Sequence, residues 1–190
     1  MKKLSLISYF LSLVSVAHAQ RNPFFGDANN QVFLYFGAGV NDGLGFPAPI
    51  IPAPNKWVPF GMINIDYAQP NTFFRLPGRL NISYLQTEGW GTGYGWNWRD
   101  LQTSIVTLSQ DIALFWGHGF YGGIGAGAGF QRFENYRVSS KLLFQFKTFI
   151  GYEITDRWRA EIFTHHLSNG STTAVNYSYN FYGIGFGYNF

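Results

Sequence analysis

Over "KLLFQFKTFIGYEI" the residues alternate: the even positions Leu142, Phe144, Phe146, Ile150, Tyr152 and Ile154 are apolar, while the odd ones include Lys141, Gln145, Lys147 and Glu153. A period of two is the spacing of a β-strand with two unlike faces. The same parity returns in "GRLNISYLQT", where Leu80, Ile82 and Tyr84 oppose Arg79, Asn81 and Ser83, and in "RWRAEIFTHHLS", where Ala160 and Ile162 oppose Arg159 and Glu161. The last stretch, "YNFYGIGFGYNF", sets Tyr182, Ile184, Phe186, Tyr188 and Phe190 against glycines and Asn189. Eight such segments can be marked, roughly 31–40, 56–68, 78–88, 99–115, 119–130, 141–154, 157–168 and 178–190.

Eight is the smallest usual strand number for an outer-membrane barrel, in which side chains fill the interior and no pore is left. The expected fold is therefore all-β: an eight-stranded antiparallel transmembrane β-barrel of the bacterial outer membrane. The chain is 20% aromatic and only 12% charged, and beyond the leader no apolar stretch is long enough to cross a bilayer as a helix. A closed barrel spans by satisfying every backbone polar group without an edge. The start, "MKK" followed by "LSLISYFLSLVSVA" and "AHA", reads as a signal peptide over residues 1–19, leaving 20–190 as the barrel. Loss of Lys2 and Lys3 takes the formal charge from +3 to about +1, too little for a nucleic-acid surface. Without cysteine there is neither a disulfide framework nor a thiolate metal site.

Connections alternate in length. "DGLGFPAPIIPAPN", "TEGWGTGYGWNW", "FENYRVSS" and "NGSTTAVNYS" are long or polar and belong outside the cell; "WGHG" and "TDR" are tight periplasmic turns, with "QPNTFFRLPG" a longer exception. The final aromatic, Phe190, is similar to the terminal signature read by the outer-membrane assembly machinery. A soluble lipocalin-like barrel would show the same alternation with its faces exchanged. Scarce charge and aromatic strand ends favour the membrane.

Within this frame "THHLSNGS" stands out. Parity points His166 and Ser168 outward with Ala160 and Ile162, and His165 inward with Arg159 and Glu161. A histidine and a serine two apart on one strand face have the geometry of a base and a nucleophile. Polar groups facing lipid are costly, which gives a functional reading weight. From Phe190 to Asn180 the last strand climbs about 3.3 Å per residue, or roughly 23 Å along the membrane normal after a tilt of about 45°. His166 and Ser168 share that height, the outer-leaflet head-group boundary, where ester bonds join acyl chains to a glycolipid's sugars.

Other candidates read more plainly. His165 is expected to be satisfied in the lumen by Glu161 or Arg159, and His118 is a turn residue. Asn169 with Gly170 is ordinary turn chemistry. Asp111, Glu134 and Glu153 have no recognisable metal spacing. Trp57, Trp90, Trp96 and Trp98 read as interface belts, with sugar binding as a second use. "GIGAGAG" has no following lysine and is a strand with small residues, not a phosphate loop.

"HLSNGS" closing the penultimate strand, followed by "NFYGIGFGYNF" at the end of the chain, resembles the outer-membrane lipid A 3-O-deacylases of the PagL type; elsewhere the likeness is architectural. The resemblance implies a serine esterase that removes an ester-linked acyl chain from lipid A in the outer leaflet. His166 would be base, Ser168 nucleophile, and Asn169 with the Gly170 amide would form the oxyanion site. No cofactor or metal is implied; the partner is lipid A or lipopolysaccharide, and the oligomeric state is left open. The family's third member is a glutamate early in the last strand, where this chain has Asn180, on the same outward face as His166. Asn176 in the loop is the alternative orienter. An amide fixes an imidazole tautomer but stabilises imidazolium less well than a carboxylate. The competing readings are a non-catalytic barrel serving wall integrity or adhesion, and an inactive relative that still binds glycolipid.

Overall fold

The computed structural model describes residues 22–40, 57–93 and 95–190. The expected leader and the "DGLGFPAPIIPAPN" loop lie outside these residues. Eight long strands are present: β1 (Gln31–Val40), β2 (Trp57–Phe73), β3 (Leu76–Gly89), β4 (Ser104–Gly117), β5 (Phe120–Gln131), β6 (Leu142–Glu153), β7 (Trp158–Ser168) and β8 (Tyr179–Asn189). They close into an antiparallel barrel in which β1 pairs with both β2 and β8. Closure leaves this sheet without an edge.

The polarity of the two faces separates the membrane barrel from the lipocalin. Outward residues in mid-strand, among them Ile63, Ile65, Ile82, Val106, Leu108, Ile162 and Ile184, are 49–58% exposed. Buried inside are Asp66, Arg79, Asp111, Lys147 and Glu161. A water-soluble barrel needs the opposite arrangement. Aromatic rings girdle the turn end, with Phe120 against Tyr152 at 4.7 Å and Trp158 against Tyr188 at 5.0 Å.

Arg79 occupies the centre of the lumen. Its Nε donates to Asp111 at 2.8 Å and its terminal nitrogens to Glu161 at 2.8 and 3.1 Å, while Phe24, Phe33 and Phe149 lie within 5.1 Å of the guanidinium carbon. Glu161 also accepts from the Tyr35 and Tyr121 hydroxyls, and the Lys147 ammonium lies 3.0 Å from Asp111. Paired charges and rings fill the interior as the strand number implies.

Three expectations are corrected. "QPNTFFRLPG" is not a loop: β2 and β3 remain paired as far as Phe73 and Leu76, and the chain reverses at Phe74 and Arg75, with φ of 48° and 67°. Two successive positive φ values give the turn whose twist suits a two-residue hairpin, normally built from Asn-Gly. Residues 98–101 form a 3₁₀ turn, so β4 begins at Ser104. That turn directs Trp98 inward: it is 1% exposed, packs on Phe60 and donates to the Gly93 carbonyl, so it caps the lumen and is no interface anchor. Trp57 and Trp90 are exposed as a belt requires.

Candidate active site

Strands β7 and β8 bring the outward polar residues together. Their register sets Asn180 opposite His166, and β6 places Phe146 opposite His166 and Phe144 opposite Ser168. The Asn180 Oδ1 lies 2.7 Å from His166 Nδ1. An amide oxygen only accepts, so this bond puts the proton on Nδ1 and leaves Nε2 with its lone pair, the tautomer a general base requires. The Asn180 amide is itself oriented, because its Nδ2 donates to Ser178 Oγ at 3.1 Å.

Ser178 escaped the sequence reading. Its even number puts it on the same face as Asn180 and His166, which is the signal that could have found it. It adopts a left-handed backbone, φ 51°, at the entry to β8. Non-glycine residues adopt this conformation at a cost, and here Arg137 holds it: Nε donates to the Ser178 carbonyl at 2.8 Å, and the guanidinium lies 5.0 Å above the Trp98 ring. Burial pulls Arg137 down to about 10, so it stays charged at neutral pH. The loop before β6 thus braces the loop before β8, helped by the bond from Tyr177 N–H to the Arg137 carbonyl.

Ser168 ends β7 and is 9% exposed. Its Oγ accepts a long hydrogen bond, 3.4 Å, from the Gly170 N–H. Gly170 has a φ of 62°, and a Cβ there would come 3.0 Å from the Phe144 ring, so a glycine is needed for the amide to face the serine. His166 and Ser168 are not hydrogen-bonded to each other. Such bonds commonly tighten only around bound substrate.

Asn169 is fully buried and spends its polar groups on the loop. Its Nδ2 donates to Thr173 and to the Val175 carbonyl, its Oδ1 accepts from Ser171 N–H, and its own N–H donates to Asn176 Oδ1 at 3.1 Å. The Gly170 amide is consequently the donor that faces Ser168, with Asn169 shaping the turn that presents it. Asn176, bonded in this way, belongs to the loop brace, and Asn180 is the residue on His166. His165 points into the lumen as expected, but its partner is Gln145, at 3.2 Å from Nε2, in place of Glu161 or Arg159. Both of those face charged partners of their own, Arg79 and Glu153.

The arrangement is a base with a fixed tautomer, a hydroxyl on the same outward face, and an amide aimed at that hydroxyl, all flanked by Phe144 and Phe146. It has the parts for acyl transfer at a lipid surface.

No curated protein matches the chain. Among the solved structures that share its fold are the outer membrane enzyme PagL, at 13% identity over 83% of this chain and 97% of that one with a TM-score of 0.56, and the N-terminal β-barrel domain of Pseudomonas aeruginosa OprF, at 14% over 86% and 98% with a TM-score of 0.54. At such identities the likeness concerns the fold alone. The model of one family, lipid A 3-O-deacylase (PagL), matches residues 72–189, which takes in the end of β2 and every strand after it. A match over more than half of the sequence decides membership: this barrel of the bacterial outer membrane belongs to the lipid A 3-O-deacylase (PagL) family.

Proposed function

We propose that the chain hydrolyses the 3-O-linked acyl ester of lipid A, with Ser168 as nucleophile and His166 as general base. The observation that carries this reading is the 2.7 Å bond between Asn180 and His166 Nδ1 on the outward face, two residues from Ser168. His166 Nε2 takes the Ser168 proton as Oγ attacks the ester carbonyl carbon. The carbonyl oxygen becomes an oxyanion, and the Gly170 N–H is placed to donate to it. Collapse expels the sugar alkoxide, which takes the proton from the imidazolium, and an acyl-serine remains. Water, deprotonated by the same imidazole, attacks that ester; the fatty acid leaves and Ser168 regains its proton.

Asn180 holds the ring through both steps but supplies no negative charge to the imidazolium. The under-stabilisation is on the order of a few kcal/mol compared with a carboxylate. Turnover is therefore slow, which suits an enzyme whose substrate is held beside it in the same leaflet.

The test is fatty-acid release from purified lipid A by the refolded protein in detergent. The wild type releases one ester-linked chain and leaves the amide-linked chains in place, and Ser168→Ala releases none. Release that persists in Ser168→Ala, or that occurs at amide linkages, overturns the proposal.

A further inference from the structure

Three tight turns close the barrel at one end, which loop length assigns to the periplasm. Two of them present polar side chains: His118 in one, and Thr155, Asp156 and Arg157 in the other, all exposed. The third, joining β2 to β3, presents Phe73, Phe74 and Arg75. Phe74 is 86% exposed and Phe73 43%, and the two rings meet edge-on at 4.5 Å. Arg75 is exposed and has no hydrogen bond or ion pair among the described residues.

A tight hairpin turn does not call for these residues. Phe74 and Arg75 carry positive φ values of 48° and 67°, and among the described residues they are the one successive non-glycine pair to do so. Asn-Gly is the pair that suits this backbone, and residues with a Cβ adopt it at a cost. A large exposed ring on a strained backbone weakens the turn and buries nothing in return. Strain kept in this way points to a functional position.

Register gives the depth. The ladder that leaves Gln31 through Ala68 returns on β8 at Tyr179, ten residues from Asn189, which Gln31 meets directly. With that stagger the strands tilt by roughly 40°, and each residue rises about 2.5 Å along the membrane normal. Phe73 and Arg75 therefore lie about 7 Å beyond the Trp158–Tyr188 ring pair, toward the turn end. The head-group layer is about 5–7 Å thick, so a barrel whose belt sits at its inner edge carries Arg75 to the depth of the lipid phosphates. Phe73 shares the outward face of Ile63, Ile65 and Tyr67. We propose that the Phe73–Phe74–Arg75 tip anchors the barrel in the inner leaflet, its rings packed among the phospholipid head groups and its guanidinium paired with a phosphodiester. An arginine suits that partner because its planar fork donates two parallel hydrogen bonds to phosphate oxygens. In the closed strand order the β2–β3 hairpin stands across the barrel from β7. An anchor there fixes the tilt of the axis and so the height of Ser168 on the far wall, a consequence that rests on the proposed role of Ser168.

The chain has no cysteine, so single cysteines can carry a bimane fluorophore on the full-length protein, refolded into vesicles of phosphatidylethanolamine and phosphatidylglycerol with lipid A added. Bimane at Phe74→Cys should be quenched about threefold more strongly by head-group spin-labelled lipid than by aqueous iodide, and bimane at His118→Cys should show the reverse. Phe74→Asn combined with Arg75→Gly removes the anchor and relaxes the turn. Its urea midpoint should rise, yet its hydrolysis of lipid A in vesicles should fall about fivefold while hydrolysis in detergent micelles keeps the wild-type rate. Iodide quenching at Phe74→Cys equal to that at His118→Cys overturns the anchor and leaves the tip free for a periplasmic protein. Unchanged hydrolysis in vesicles by the stabilised double variant overturns the link from anchor to depth. Hydrolysis that survives Ser168→Ala overturns the site instead, and the quenching, which needs no catalysis, still decides the anchor.

Discussion

The lumen and the β7–β8 seam both place polar groups in a membrane-embedded wall, and they do so by opposite rules. Inside, Arg79, Lys147, Asp66, Asp111 and Glu161 are ionisable residues, each placed against at least one partner of opposite formal charge. Outside, His166, Asn180 and Ser178 are linked by hydrogen bonds in a single file with Ser168 beside them, and the imidazole Nε2 and the Ser168 hydroxyl are left for a reacting group. A charge removed from water must be matched closely or it destabilises the fold. A polar group facing lipid costs less when uncharged, and it persists where function requires it. On the proposed function, the lumen cluster serves stability and the seam serves chemistry.

If the two regions divide the work in this way, substitutions should separate activity from stability. The largest effect is expected at the seam: Ser168→Ala and His166→Ala should each lower kcat by roughly four to six orders of magnitude, because members of one catalytic unit are not additive. Their thermal stability in detergent should stay close to wild type. In the lumen, Arg79→Ala leaves Glu161 without its cation and Asp111 with Lys147 alone, and should cost about 3–5 kcal/mol, read as a lower urea midpoint for unfolding into lipid vesicles. The fraction that remains folded should turn over normally. Stability loss at His166 equal to that at Arg79 would erase the distinction.

Asn180 sharpens the comparison. Asn180→Glu should raise kcat by roughly one to two orders of magnitude by stabilising the imidazolium, and Asn180→Ala should lower it about tenfold by freeing the tautomer. Rates unchanged by both, in an active protein, would mean that another group orients His166. The smallest effect is expected at Ser178. Ser178→Gly removes the hydroxyl that orients Asn180 but relieves the left-handed backbone, so stability should hold or rise by about 1 kcal/mol. The kcat should still fall a few-fold, with an altered pH profile. A role in the fold alone would give unchanged kinetics. His165→Ala, inside the wall, should keep most of its activity.

Much of this division can be read from sequence, because a period of two assigns each side chain a face before any register is known. That is how His166, Ser168 and Asn180 could be grouped and His165 set apart. The features that escaped depend on non-local geometry. Phe74 and Arg75 form a hairpin turn with no glycine to announce it. Trp98 turns inward because a 3₁₀ turn interrupts the strand pattern. Ser178 gains a role only once β8 is paired with β7 and Arg137 reaches across from another loop.

The most direct measurement of the central claim is covalent. A lipid-tailed fluorophosphonate, which modifies only an activated serine, can be offered to the folded protein in vesicles and the adduct located by peptide mass spectrometry. Modification of Ser168 in the wild type, lost in His166→Ala and kept in His165→Ala, is the predicted result. An adduct at any other residue, or labelling of Ser168 that does not depend on His166, would contradict the exterior seam as the seat of catalysis.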